Sequence, residues 1–188
     1  MVRLVVGISG ASGPQYGIRL LQALRDSGSV EVHLIVTAAA KRTIQLEAGI
    51  DPMTVDGLAN AAYDPSDVAA AVSSGSFQTA GMVVIPCSMS ALAAIAHGYS
   101  DDLLTRAADV TLKERRRLVL VPRETPLSLI HLRNMVAATE AGAVILPPVP
   151  AFYHSPRTIE DMLDHTVGKV LDQFEIEHGL FRRWRGGT

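Results

Sequence analysis

Four side chains suited to anion binding and proton transfer, Arg106, Lys113, Arg123 and Glu124, fall close together between Pro86 and His131. Arg106 and Lys113 are seven residues apart, which at 3.6 residues per turn leaves them within about 20° of each other on one helix face. Asp109, three residues after Arg106, lies near the same stripe and can pair with the guanidinium. Arg123 and Glu124 follow an apolar run, at the strand end where open α/β sheets place ligand contacts. Beside cations a carboxylate ionises readily. A phosphate arriving between them reverses this and raises the proton affinity of Glu124, so the two could share and pass a proton, as general acid–base work requires. The same residues fit two plainer readings, a solvated helix face and an Arg–Glu bridge closing a sheet edge. The run from Arg115 to Arg117 reads as solvated surface.

A second constellation lies near the start. Gly7, Gly10 and Gly13 are spaced by three, which matches neither the dinucleotide fingerprint nor a Walker loop. The turn from Gly10 to Gly13 still opens a helix at Pro14, where backbone N–H groups and the Ser12 hydroxyl can meet a phosphate. Close strand-to-helix packing explains the glycines equally well. Other chemistries are disfavoured. His131, His154 and His165 lack metal-site spacing, and no H-E-x-x-H pattern occurs. Ser88 is not in a G-x-S-x-G elbow. Cys87, the one cysteine, excludes an internal disulfide and a multi-cysteine zinc site, and reads as a packed small residue.

These groups need a sheet to position them. Leu4 to Ser9, Val30 to Val36, Gly81 to Pro86, Leu118 to Val121 and Ala143 to Leu146 read as strands, the first two joined through a helix from Pro14 that stops at Gly28. Cys87 to Ser90 reads as the turn after the Gly81 strand. Helices are expected over Ala38 to Ala48, Ala91 to His97, Leu103 to Arg115, Ser128 to Ala141 and Ile159 to Glu177, with short helices and a connector between Asp51 and Ala71. Pro147, Pro148 and Pro150 force an extended segment that presents Phe152 and Tyr153. Alternating strands and helices imply a parallel α/β sheet. The length of 188 residues fits one domain, 1–188, with 179–188 as a C-terminal tail carrying Arg182, Arg183, Trp184 and Arg185. A net charge of -2 gives no basic field for nucleic acid. No apolar run approaches a membrane span and no signal peptide is evident, so a cytoplasmic protein is expected.

Five segments taken together resemble one family. Gly7 to Gly13, Pro86 to Met89, Arg106 to Val110 with Lys113 to Arg116, Arg123 to Ser128 and Pro147 to Tyr153 are similar, in that order, to the UbiX-type flavin prenyltransferases. The resemblance covers nearly the whole chain. It implies a three-layer α/β fold, flavodoxin-like and Rossmann-type, with a central parallel sheet and helices on both faces. It also implies a homo-oligomer, commonly a dodecamer, with sites at subunit interfaces. Members transfer a dimethylallyl group from dimethylallyl phosphate to N5 and C6 of reduced FMN without a metal, and the prenylated FMN serves a separate UbiD-type decarboxylase.

By motif, Gly10, Ala11, Ser12, Thr37, Ser88, Met89, Ser90, Ala91 and Arg123 are expected to bind FMN. Arg106, Lys113, Arg123, Glu124, Tyr153 and Lys169 would surround the prenyl phosphate. Lys169 replaces an arginine found in some members, which keeps the charge but not a bidentate fork. Ser12 and Glu47 correspond to positions implicated in handling flavin protons. Trp184, the only tryptophan, offers a ring face to a developing carbocation, or else anchors the tail. Three rivals are a non-catalytic flavin-binding subunit, a cysteine-decarboxylase-like flavoprotein and a flavodoxin-like electron carrier. The second is disfavoured because Pro86 to Ala91 does not read as the PASANT-like segment of those relatives, and the third because such carriers have a stronger acidic balance.

Overall fold

The computed structural model describes residues 2–184 and 186. Arg185, Gly187 and Thr188 of the expected tail lie outside the described residues. Six parallel strands form one sheet: β1 (Val2–Ile8), β2 (Val30–Val36), β3 (Ala61–Tyr63), β4 (Gly81–Cys87), β5 (Arg117–Pro122) and β6 (Ala143–Ile145), in the order β3-β2-β1-β4-β5-β6. That is the doubly wound Rossmann order, whose reversal point lies between β1 and β4. β1 is paired in register along its length with β2, Val2 opposite Val30 through Ile8 opposite Val36. The central strands carry continuous apolar runs because helices cover both faces, and β4 is buried from end to end.

The helices are α1 (Pro14–Ser27), α2 (Ala38–Thr43), α3 (Pro52–Asp56), α4 (Met89–Ala96), α5 (Leu103–Lys113), α6 (Leu129–Glu140) and α7 (Ile159–Gln173). One core joins β1 and β2 to α1 and α7 through Leu4, Leu20, Leu24, Leu34 and Val170. The other joins the opposite face to α4 and α5 through Met82, Leu92, Leu103 and Leu104. Both α1 and α7 run from the carboxyl ends of the strands towards their amino ends, held side by side by the Arg19–Asp164 ion pair at 2.5 Å.

Four expectations are corrected. Ala61–Tyr63 is an edge strand, not part of a helical connector; three residues are too short for any period to register, and pairing with His33 to Ile35 decides the conformation. The turn after β4 ends at Ser88, because its side chain caps α4 and makes Met89 and Ser90 helical. The helix expected over Ala38 to Ala48 divides into α2 and a π-helical turn, Ile44–Ala48, that carries Glu47. The helices ending at Lys113 and Gln173 stop earlier than expected, each just before a residue in the left-handed region, Arg115 at φ 56° and Glu175 at φ 57°.

Candidate functional site

At the carboxyl ends of β1, β2 and β4 lies a cavity of about 320 Å³, lined by Ser9, Gly10, Thr37, Ser88, Ser90 and Ala91, with Asp101, Asp102 and Thr105 across from them. Its floor is built by Ser9. The buried Ser9 hydroxyl donates to the Pro86 carbonyl at 2.9 Å and accepts from the Ser88 N–H at 2.7 Å, tying the β1 turn to the β4 turn. Gly10 is required by close approach: a Cβ there would stand 2.4 Å from the Cβ of Ala39. Packing therefore accounts for this glycine, and that same approach brings the turn against the start of α2.

Two helices begin at this cavity. Thr37 caps α2 by accepting from the Ala40 N–H at 3.2 Å, and Ser88 caps α4 by accepting from Ala91 at 3.2 Å. Each capping hydroxyl keeps its proton free to donate to a ligand oxygen. Together with the helix N-termini they form a donor-rich wall suited to an anionic group. Across the cavity Asp102 caps α5 in a box with Thr105, accepting from its N–H at 2.8 Å and its hydroxyl at 2.6 Å. Ser9, Asp101, Asp102 and Thr105 were not among the expected site residues. The cap signature Asp102-Leu103-Leu104-Thr105 was legible, but only folding brings it opposite Ser88.

Ser12 and Glu47, far apart in sequence, meet. The Ser12 hydroxyl donates to Glu47 Oε2 at 3.1 Å and the Gly13 N–H donates to the same oxygen at 2.8 Å. Gln15 Nε2 holds the Glu47 carbonyl at 3.0 Å. The π-helical turn is what aims this carboxylate at the start of α1.

Arg123 is drawn to the β4 turn through its N–H, which donates to the Cys87 carbonyl at 3.2 Å. Burial raises the pKa of the Tyr16 phenol, an effect that the nearby Arg123 guanidinium moderates. Glu124 is exposed, and it accepts only the N–H of Thr125, at 3.0 Å, among the described residues. The Arg–Glu bridge that would have made the pair structural does not form.

The remaining cations separate. Arg106 pairs with Asp109 at 2.7 Å, as the spacing predicts. Lys113 pairs with Glu114 beside Gly75. It lies about 12 Å beyond Thr105 along the α5 axis, at the amino end of β5 and away from the cavity. Lys169 lies on α7 with its Nζ 3.5 Å from Asp172. Tyr153 is hydrogen-bonded to His165 Nε2 at 2.9 Å and meets the exposed Trp184 edge-on, ring centres 6.1 Å apart. Of the residues expected around the prenyl phosphate, none of Arg106, Lys113, Arg123, Glu124, Tyr153 and Lys169 lines this cavity, nor does Trp184. Cys87 is fully buried, and burial pushes its thiol up to about 12. Among the described residues no group of His, Cys, Asp or Glu is placed to hold a metal, and no helix is long and apolar enough to cross a membrane.

Comparison with known proteins bears on this geometry. A family model described as Flavoprotein matches residues 1–180. The flavin prenyltransferase UbiX of Salmonella typhimurium is 58% identical over 188 residues, 99% of this chain and 100% of that one. Among solved structures, AnUbiX (PadA1) in complex with FMN and dimethylallyl pyrophosphate is 54% identical with a TM-score of 0.97, covering 100% of this chain and 99% of the other. A dodecameric FMN-dependent UbiX-like decarboxylase from Escherichia coli O157:H7 is also 54% identical, with a TM-score of 0.96, covering 98% of this chain and 100% of the other.

Proposed function

The chain belongs to the Flavoprotein family and, within it, to the UbiX-type flavin prenyltransferases, and from that premise we propose a division of labour for its residues. The protein transfers a dimethylallyl group from a dimethylallyl phosphate ester to reduced FMN. The observation that carries the assignment of residues is the cavity at the β1/β4 reversal point, with capping hydroxyls on two helix starts and a Ser12–Glu47 pair beside it.

Gly10, Ala11, Thr37, Ser88 and the first turn of α4, from Met89 to Ala91, hold FMN. The narrow approach at Gly10 and the hydroxyl protons of Thr37 and Ser88 fit an anionic, planar ligand. Reduced FMN supplies the nucleophilic N5 and C6 atoms. Arg123 lies at the junction of the flavin and prenyl-phosphate regions. Glu124, with its carboxylate free of any ion pair, delivers a proton to the departing phosphate, while Arg106, Lys113 and Lys169 neutralise the charge that develops there. The Ser12–Glu47 pair takes up the proton released at the flavin; a carboxylate already accepting a hydroxyl can receive that proton through it. Trp184 turns its ring face to the allylic cation, an attraction of roughly 0.5 to 2 kcal/mol.

Lys113 lies at the far end of α5 from the cavity, and Tyr153 and Lys169 are held at α7, so these three are assigned to a neighbour's site. The surface supports assembly. On α6, Leu129, Ile130 and Val136 are 61%, 69% and 58% exposed, a helix face left uncovered by the described residues of the chain. A dodecamer, as in the UbiX-like relative, buries such faces and completes each site from more than one copy. The prenylated flavin then passes to a UbiD-type decarboxylase.

The test is anaerobic incubation with reduced FMN and either dimethylallyl monophosphate or the diphosphate, followed by mass spectrometry of the released flavin. A flavin heavier by one five-carbon unit is expected with the monophosphate. Unmodified FMN with both donors would overturn the assignment.

A further inference from the structure

The segment after α7 folds back and docks on that helix. At Gly168, in the buried face of α7, an added Cβ would stand 2.5 Å from Phe181 Cε1 and 2.6 Å from His178 Cε1. A glycine in mid-helix is disfavoured on its own account, and here its lack of a side chain is what makes room for the Phe181 ring. One turn further on, Asp172 accepts both arms of the Arg183 guanidinium, at 2.6 and 3.2 Å, while His178 Nε2 approaches at 3.2 Å. This bidentate pair fixes direction as well as distance. Burial pushes the Asp172 carboxyl up, but hydrogen bonds from Arg183 and His178 hold it below the ordinary carboxylate value.

From this seat a run of ring contacts leads to the residues of the proposed reaction. Phe181 packs on His165 with ring centres 4.8 Å apart, His165 bonds the Tyr153 hydroxyl, and Tyr153 meets Trp184 at an interplanar angle of 76°. We propose that Gly168, Asp172 and Arg183 are positioning residues: they clamp the strap Gly179 to Trp184 onto α7 and thereby set Trp184 and Tyr153 relative to each other before substrate arrives. The inference rests on the reading of Tyr153 and Trp184 as substrate-facing groups. The clamp itself stands on geometry that this reading does not supply.

Because Trp184 is the only tryptophan, its fluorescence reports the strap without reference to activity. In the intact FMN-loaded protein, Asp172→Asn removes the charge that Arg183 grips, and Gly168→Ala fills the seat while favouring the helix. Both variants are expected to bind FMN as the wild type does, to raise acrylamide quenching of Trp184 towards that of free tryptophan, and to lower kcat for flavin prenylation by about 10²-fold through misplacement. Asp172→Glu should recover part of both signals. Unchanged quenching in Asp172→Asn and Gly168→Ala would overturn the clamp whatever the activity. Increased quenching with undiminished kcat would overturn the positioning role. Failure of the wild type itself to prenylate FMN, with quenching still responsive, would leave the clamp standing and remove only the function on which its purpose rests.

Discussion

At the scale of single residues, the groups of the site differ in what they are already bonded to. Glu47 accepts two donors, from Ser12 and Gly13, so it is held in place yet remains a proton acceptor. Glu47→Gln should retain FMN and slow prenylation by about 10²-fold or more; a wild-type rate would assign the pair to structure. Cys87 is inert for the opposite reason. With burial pushing its thiol up to about 12, it should resist iodoacetamide in the folded protein and react only in denaturant, and rapid native alkylation would contradict its placement. Gly10→Ala should cost about 1 to 3 kcal/mol through overlap with Ala39, and should weaken FMN binding as the turn withdraws, both measurable by thermal unfolding and flavin titration. Residue types were readable in advance: Ser12, Arg123 and Glu124 fall at turns and strand ends that the sequence marks. Ser9 was not, because a serine one position past an apolar run carries no sign that its hydroxyl will bridge two turns.

At the scale of elements, the strands and long helices were legible because period and punctuation agree. Pro14 and Gly28 bracket α1, unbroken apolar runs mark β1 from Leu4 and β4, and Val30, Val32 and Leu34 to Val36 mark β2. The edge strand β3 and the π-helical turn under Glu47 were not, since both arise from contacts distant in sequence. Helix α7 was legible as a helix, yet its histidines were read as ordinary. In the fold His165 lies between His154, stacked on it in a nearly parallel plane at 4.8 Å, and Tyr153. Burial, reinforced by His154 and Lys169 and opposed by Asp172, lowers the His165 pKa below the ordinary imidazole value. The unfolded chain therefore gains this proton at higher pH than the folded one. The stability it reflects is whole above about 6.5 and is lost as pH falls through the folded value. Denaturant midpoints should accordingly drop on acidification from about pH 8 to about pH 5, and drop less in His165→Gln; an identical profile in the two proteins would place the effect elsewhere.

At the scale of the whole molecule, the proposed function has one chain hold two halves of different sites. The cavity lined by Gly10, Thr37 and Ser88 lies at the carboxyl ends of the strands, and Ser12, Arg123 and Glu124 follow the same strand ends, β1 and β5. Lys113 lies near the amino ends, Lys169 lies on α7, and Tyr153 is hydrogen-bonded to His165 of that helix. Sequence reading could name these residues but not apportion them, because a linear motif does not record which copy will present it. The apolar face of α6 and the exposed Phe152 and Ile159 supply surface for the required contacts. The most direct test is complementation between two defective variants. Glu124→Gln disables the half contributed with the cavity, and Lys169→Ala disables the half contributed from α7. Each alone should make little prenylated FMN. Co-expressed and purified as mixed oligomers, they should regain activity well above the sum of the two, because some sites then receive both intact residues. Activity no greater than that sum, in oligomers shown to contain both variants, would contradict a site shared between subunits.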